Sequence, residues 1–113
     1  MKVVYIAGPF TAPTPHEIEY NIRDAEYVGL EVAALGMSAL VPHSVGRFAV
    51  GTFDEAYWYE ATMAQLRKCD AVMMVPGWEE SIGAKQERDE AIALNIPVFE
   101  ILDDLKLWKE LTP

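Results

Sequence analysis

Ala71-Val72-Met73-Met74-Val75, then Pro76-Gly77-Trp78-Glu79-Glu80, then Ser81-Ile82-Gly83-Ala84-Lys85-Gln86-Glu87-Arg88-Asp89-Glu90-Ala91-Ile92-Ala93-Leu94 run consecutively through a strand, a turn and a helix. Five apolar residues in a row suit a strand covered on both faces, and Pro76-Gly77 ends it. Ser81 is placed to cap the helix that follows. Within that helix Ala84, Glu87, Ala91 and Leu94 recur at i, i+3, i+7 and i+10, so a single stripe should face the sheet. Glu87 stands in it where an apolar side chain belongs. A carboxylate there costs desolvation energy unless it is paired or put to use. The bland alternative is a carboxylate tied to a buried donor or reaching past the small alanines.

The same alternation of apolar strands and amphipathic helices extends in both directions. Lys2–Ala7 reads as a buried first strand closed by Gly8-Pro9, and Phe10–Pro13 as a loop. Thr14-Pro15-His16-Glu17 then offers an N-cap, a proline at the first helical position and a glutamate three residues on. Ile18, Ile22, Ala25, Val28, Val32 and Leu35 form the apolar stripe of this first helix, and Gly36 ends it. Met37–Val41 reads as the second strand, and Pro42–Arg47 as a loop with a polar tip. Thr52-Phe53-Asp54-Glu55 repeats the capping pattern and opens a helix to about Lys68, with Ala56, Tyr59, Met63 and Leu66 inward. Pro97–Leu102 reads as the closing strand. A last short helix from Asp103 or Asp104 puts Leu105, Trp108 and Leu111 against something apolar, most simply the parent core. The expected architecture is one α/β domain over residues 1–113, a small flavodoxin-like or Rossmann-like three-layer sandwich. Its parallel sheet has about four strands in the order 2-1-3-4.

Composition narrows the function classes. The chain has 113 residues, 51% of them hydrophobic, enough for one respectable core. A net charge of −9 repels a polyanion and argues against a nucleic acid polymer as partner. Cys69 is the only cysteine, so the chain has no internal disulfide and no cysteine metal cluster; a buried thiol in the cytoplasm is the expectation. No apolar run is long enough to span a membrane. Two isolated histidines and scattered carboxylates show no metal-ligand spacing. Neither a metal nor a cofactor is expected.

In sheets of this kind ligands sit beyond the carboxyl ends of the strands, at the switch point between the first and third. Gly8–Thr14, Pro42–Arg47 and Pro76–Ser81 converge there. Ser81, the amides after it and the missing side chain of Gly83 would let a phosphate or sugar hydroxyl approach the helix start. A plainly capped helix, with Gly83 needed only for packing, reads equally well. His43 is a candidate donor, although an isolated loop histidine is more often solvated, and His16 reads as surface. Phe10 and Trp78 are candidates to stack on a base, with core packing as the commoner fate. Arg47 and Lys85 are positioned as phosphate partners, and Arg88 as a counter-ion for Glu87. There is no Gly-x-x-x-x-Gly-Lys-Ser/Thr loop and no Gly-x-Gly-x-x-Gly after the first strand, which disfavours ATPase and ordinary dinucleotide readings.

Three stretches carry a family likeness. Tyr5-Ile6-Ala7-Gly8-Pro9, Cys69-Asp70-Ala71-Val72 and Ser81-x-Gly83-Ala84-x-x-Glu87-x-x-x-Ala91, in that order, resemble the nucleoside 2-deoxyribosyltransferase superfamily. This superfamily includes the 2′-deoxynucleoside 5′-monophosphate N-glycosidases. The likeness spans about residues 3–101, and Pro76-Gly77-Trp78 is similar to a small branch of it. It implies that Glu87 matches the catalytic glutamate and Ser81 a serine near the 5′-phosphate. By the same likeness Tyr5, Gly8 and Pro9 match the edge of the base pocket. The implied reaction suits a buried carboxylate, which would stabilise the oxocarbenium-like sugar and bond to C1′ before water or a second base collects it.

Two positions depart from that pattern. Thr62 stands where relatives usually carry an aspartate, and Ala84 where they often carry threonine. Asp54 and Glu60 lie near enough to be considered as substitutes, although surface solvation is their ordinary fate. The leading expectation is an enzyme that cleaves or transfers the N-glycosidic bond of a nucleotide or nucleoside, as a homodimer or higher homo-oligomer. Thr62 keeps a rival in view: a non-catalytic nucleotide-binding or signalling module on the same fold. A structural role through Trp108 and Tyr57-Trp58-Tyr59 is the third reading.

Overall fold

Side chains in the first strand alternate between two cores, and this parity decides which helices cover which face. A computed structural model describes residues 1–113. In it, β1 (Val3–Ala7), β2 (Ser38–Leu40), β3 (Ala71–Met74) and β4 (Val98–Phe99) form a sheet in the order β2-β1-β3-β4. Every neighbouring pair is parallel. Val4 and Ile6 point to one face with Met73 and Val75, where α1 (Pro15–Ala34) and α5 (Leu102–Leu111) pack through Ala25, Val28, Val32 and Leu105. Tyr5 and Ala7 point to the other face with Val72 and Met74, under α3 (Glu55–Leu66) and α4 (Ile82–Ala93). The result is the α/β sandwich in the strand order that the sequence pattern predicts.

Local signals account for most boundaries. Thr14 Oγ1 accepts the Glu17 amide at the start of α1, and Gly36, at a φ of 84°, follows its last turn. Leu105 is fully buried and Trp108 packs on Phe99, so α5 does dock on the parent core, while Leu111 stays exposed. Cys69 is a buried thiol whose pKa burial pushes up to about 11. No helix is long and apolar enough to cross a membrane.

Four expectations are corrected. Pro42–Gly46 is not a polar loop but a short helix, α2. It forms because Pro42 presets its first turn and because Gly46 lies against the Phe10 ring, where an added Cβ would come within 2.8 Å of Cε2. The third helix is capped by Asp54, which accepts the Tyr57 amide at 2.8 Å, and not from Thr52. Only its second half is anchored: Met63 and Leu66 are buried, whereas Ala56 and Tyr59 are exposed. The closing strand shrinks to Val98–Phe99, because α5 already starts at Leu102. With so little of its amino-terminal half packed, α3 depends on its cap. Asp54→Ala is expected to lower stability by about 1 kcal/mol, read as a lower urea midpoint with an unchanged slope.

Candidate functional site

Ser81 caps α4 by accepting the Ala84 amide at 3.2 Å, which leaves the Ile82 and Gly83 amides outside the helical ladder. An added Cβ at Gly83 would meet nothing within 4 Å. The protein's own packing therefore does not require a glycine there. Ala84 is buried on the sheet, and one turn further on the Glu87 side chain enters the same layer.

Glu87 meets Tyr5, which the β1 parity turns toward α3 and α4. The Tyr5 hydroxyl donates a short hydrogen bond to Glu87 Oε2, joining residues 82 positions apart. Oε1 has no protein partner. His43 Nδ1 is the sole buried side-chain polar atom without one, so Oε1 keeps contact with the outside. The carboxylate is thus held by one oxygen and offered by the other. Burial pushes the Glu87 pKa up to about 7, and the Tyr5 bond pulls against that rise. Tyr5 itself becomes a much weaker acid than a free phenol, chiefly through burial and then through the negative charge of Glu87. The Thr62 hydroxyl faces the same phenol and opposes that shift. Its own proton goes to the Trp58 and Tyr59 carbonyls, at 2.9 and 3.2 Å.

The loop after β1 is fastened from two sides. His43 is buried, and its Nε2–H donates to the Gly8 and Pro9 carbonyls, both at 3.1 Å. Asn21 Nδ2 donates to the Phe10 carbonyl at 3.1 Å. Two carbonyl partners fix the proton on Nε2, and burial lowers the His43 pKa, so the ring is neutral. His43 is therefore not solvated; its ring holds the loop that follows β1. Phe10 packs near His43, with ring centroids 5.9 Å apart, and on Gly46. Gly8 is required sterically, since a Cβ there would fall 2.6 Å from Val75 Cβ.

Other candidates are placed elsewhere. Trp78 turns toward β4, donating from Nε1 to Glu100, with the Arg88 guanidinium 5.2 Å from its ring centroid. Arg88 also lies 3.5 Å from Asp89 and does not serve as the counter-ion of Glu87. Arg47 is engaged by Glu19 and Glu26, the latter through both guanidinium NH groups at 3.0 and 2.7 Å. Those hydrogen bonds hold both glutamates below the usual carboxylate range. Its fork is not free for a phosphate. Lys85 is exposed and His16 lies on the surface beside Tyr20. No group of three His, Cys, Asp or Glu residues is disposed to hold a metal ion.

A cavity of about 180 Å³ lies between α2 and α3, and the sequence reading missed it. Phe53, Tyr57, Trp58, Val45 and Thr62 are among its lining residues. Glu87 is not among them; Thr62, which faces Tyr5, is the link between the cavity and the carboxylate. The aromatic run Tyr57-Trp58-Tyr59 was its one signal. Nothing in the spacing shows that Phe53 and Trp58 turn toward α2.

A family profile matches residues 2–100, nearly the whole of this arrangement. The chain belongs to the family described as Domain of unknown function (DUF4406). The match takes in Tyr5, Thr62, Ser81 and Glu87 together. A search of curated proteins finds no match.

Proposed function

We propose that the protein cleaves or transfers the N-glycosidic bond of a nucleotide or nucleoside, with Glu87 as the nucleophile. The observation that carries this reading is the unequal treatment of the two Glu87 oxygens. Tyr5 holds Oε2 and sets the orientation, while Oε1 has no partner and is accessible. A carboxylate with one oxygen fixed and the other reachable is oriented for attack. The resemblance of the Tyr5–Pro9 and Ser81–Ala91 motifs to the nucleoside 2-deoxyribosyltransferase superfamily points the same way.

In this reading the first turn of α4 holds the 5′ end of the substrate, with Ser81 and the free amides facing it and Gly83 leaving the space open. Oε1 attacks C1′ as the bond to the base nitrogen breaks, giving a glycosyl ester on Glu87. Water, or a second base, then attacks C1′ and restores the carboxylate. The displacement moves no electrons between carriers and calls for no redox cofactor. The exposed Tyr20, Tyr27 and Leu30 on α1 give a homodimer a face to use.

Incubation with a panel of ribo- and deoxynucleoside monophosphates and nucleosides, with free base followed by chromatography, tests the reading. Release from at least one member is expected, and none from any would overturn it. The hydroxyl at Thr62, already spent on backbone carbonyls, favours a second reading in which the site binds a nucleotide without turnover. Ligand-induced thermal stabilisation with no base release identifies that case.

A further inference from the structure

The groups that surround the Glu87 carboxylate constrain what can leave from the sugar. A neutral purine or pyrimidine departs as an anion unless an acid protonates it, and enzymes that cleave such substrates need a positioned donor. No carboxyl, imidazole or hydroxyl that faces the Glu87 carboxylate is free for that role. Glu87 must be ionised to attack. The Tyr5 proton is directed at Glu87 Oε2, and the Thr62 proton at two backbone carbonyls. The His43 proton lies between the Gly8 and Pro9 carbonyls. Asp54 is occupied in capping α3, and Glu55 and Glu60 lie exposed on the outer surface of that helix.

The cavity beyond Thr62 supplies an independent observation. Its lining holds six hydrophobic residues of nine and no cationic side chain. Phe53, Tyr57 and Trp58 form a mutual cluster with ring centroids 4.8, 5.2 and 6.0 Å apart. The cavity's volume of about 180 Å³ holds several waters and leaves room for a heterocyclic base. Aromatic walls attract a delocalised cation more strongly than a neutral ring.

We propose that the site takes nucleotides or nucleosides whose base is already cationic, a pyridinium or an N7-alkylated purine, and that the Phe53, Tyr57 and Trp58 cluster receives that base. This rests on the glycosidic reading and narrows its substrate class. As Oε1 bonds to C1′, the C1′–N bond breaks and its electron pair returns to the ring nitrogen. The base leaves neutral and needs no proton. Water then displaces Glu87 from C1′, the carboxylate is regenerated, and one proton from the water passes to the solvent.

The test uses the unaltered protein at pH 8 with nicotinamide mononucleotide and 7-methylguanosine 5′-monophosphate, against GMP, AMP and their deoxy forms. The cationic pair is expected to turn over at least a hundredfold faster. Thr62→Asp, which places a carboxyl at the edge of the cavity, should narrow that ratio at least tenfold by raising release from the neutral purines. Turnover of the neutral purines as fast as the cationic pair would overturn this inference and leave the glycosidic reading standing, because an acid must then be at work. Release from no substrate would overturn both.

Discussion

Glu87→Gln is expected to remove base release by about three orders of magnitude or more while nucleotide binding stays measurable. Glutamine preserves the side-chain volume and keeps an oxygen for the Tyr5 hydroxyl, so the corner of the site stays assembled. It removes the attacking oxygen and the negative charge facing the sugar. The same variant should be more stable than the parent at pH 8. The carboxyl titrates at about 7 in the folded protein against about 4.5 without it. Below about pH 4.5 the group is protonated in both states. Between 4.5 and 7 the unfolded chain releases its proton more readily, so this group's contribution to stability falls as the pH rises. Above 7 the full cost persists, about 1–3 kcal/mol after allowance for partial exposure. Paired urea titrations at pH 8 and pH 5 would read it as a gain for the variant that shrinks toward the lower pH. A residue whose removal ends turnover and raises stability is one kept for use. If Glu87→Gln left turnover unchanged, the nucleophile assignment would fall.

The second large effect is on pH. As the proposed nucleophile Glu87 would attack only when ionised, and burial holds its pKa at about 7, so turnover is expected to rise through that region. At pH 5 the ionised fraction is about one in a hundred, and the rate at subsaturating substrate should be about a hundredfold below its plateau. With no protonated group required, the profile should stay level above pH 8 instead of turning down. The Tyr5 hydrogen bond is what pulls the carboxyl pKa back toward its ordinary range. Tyr5→Phe is therefore expected to move the midpoint upward, and a purely structural Tyr5 would leave the midpoint in place. A midpoint near 4.5 in the parent protein would contradict the burial on which the argument stands.

Much of this site was legible because its parts follow local rules. The i, i+3, i+7 spacing put Glu87 on the sheet side of its helix, and Ser81 does cap that helix. Strand order followed from the alternation of elements. The failures lie where distant residues decide local structure. Residues 42–46 are helical because Phe10 packs on Gly46 and His43 bonds back to Gly8 and Pro9, contacts with no trace in the local pattern. Asp54 won the cap from Thr52 because α3 begins two residues later than the repeated capping pattern suggested. Arg47 read as a phosphate partner and Arg88 as the counter-ion of Glu87 until the fold brought Glu19 and Glu26 to the first and Trp78 to the second. Pairing of Tyr5 with Glu87 was half visible: each carried an implied role, but only strand parity, together with the sheet side of α4, brings them face to face.

The one-sided anchoring of α3 has a mechanical result. Met63 and Leu66 pin its carboxyl-terminal end, and Thr62 sits beside that pivot. Glu55 lies about 12 Å along the axis from Met63 at 1.5 Å per residue. A tilt of about ten degrees swings that far end, and Phe53 just beyond it, by about 2 Å, whereas Thr62 hardly shifts. The aromatic side of the cavity can then widen or tighten without disturbing the Tyr5–Glu87 corner.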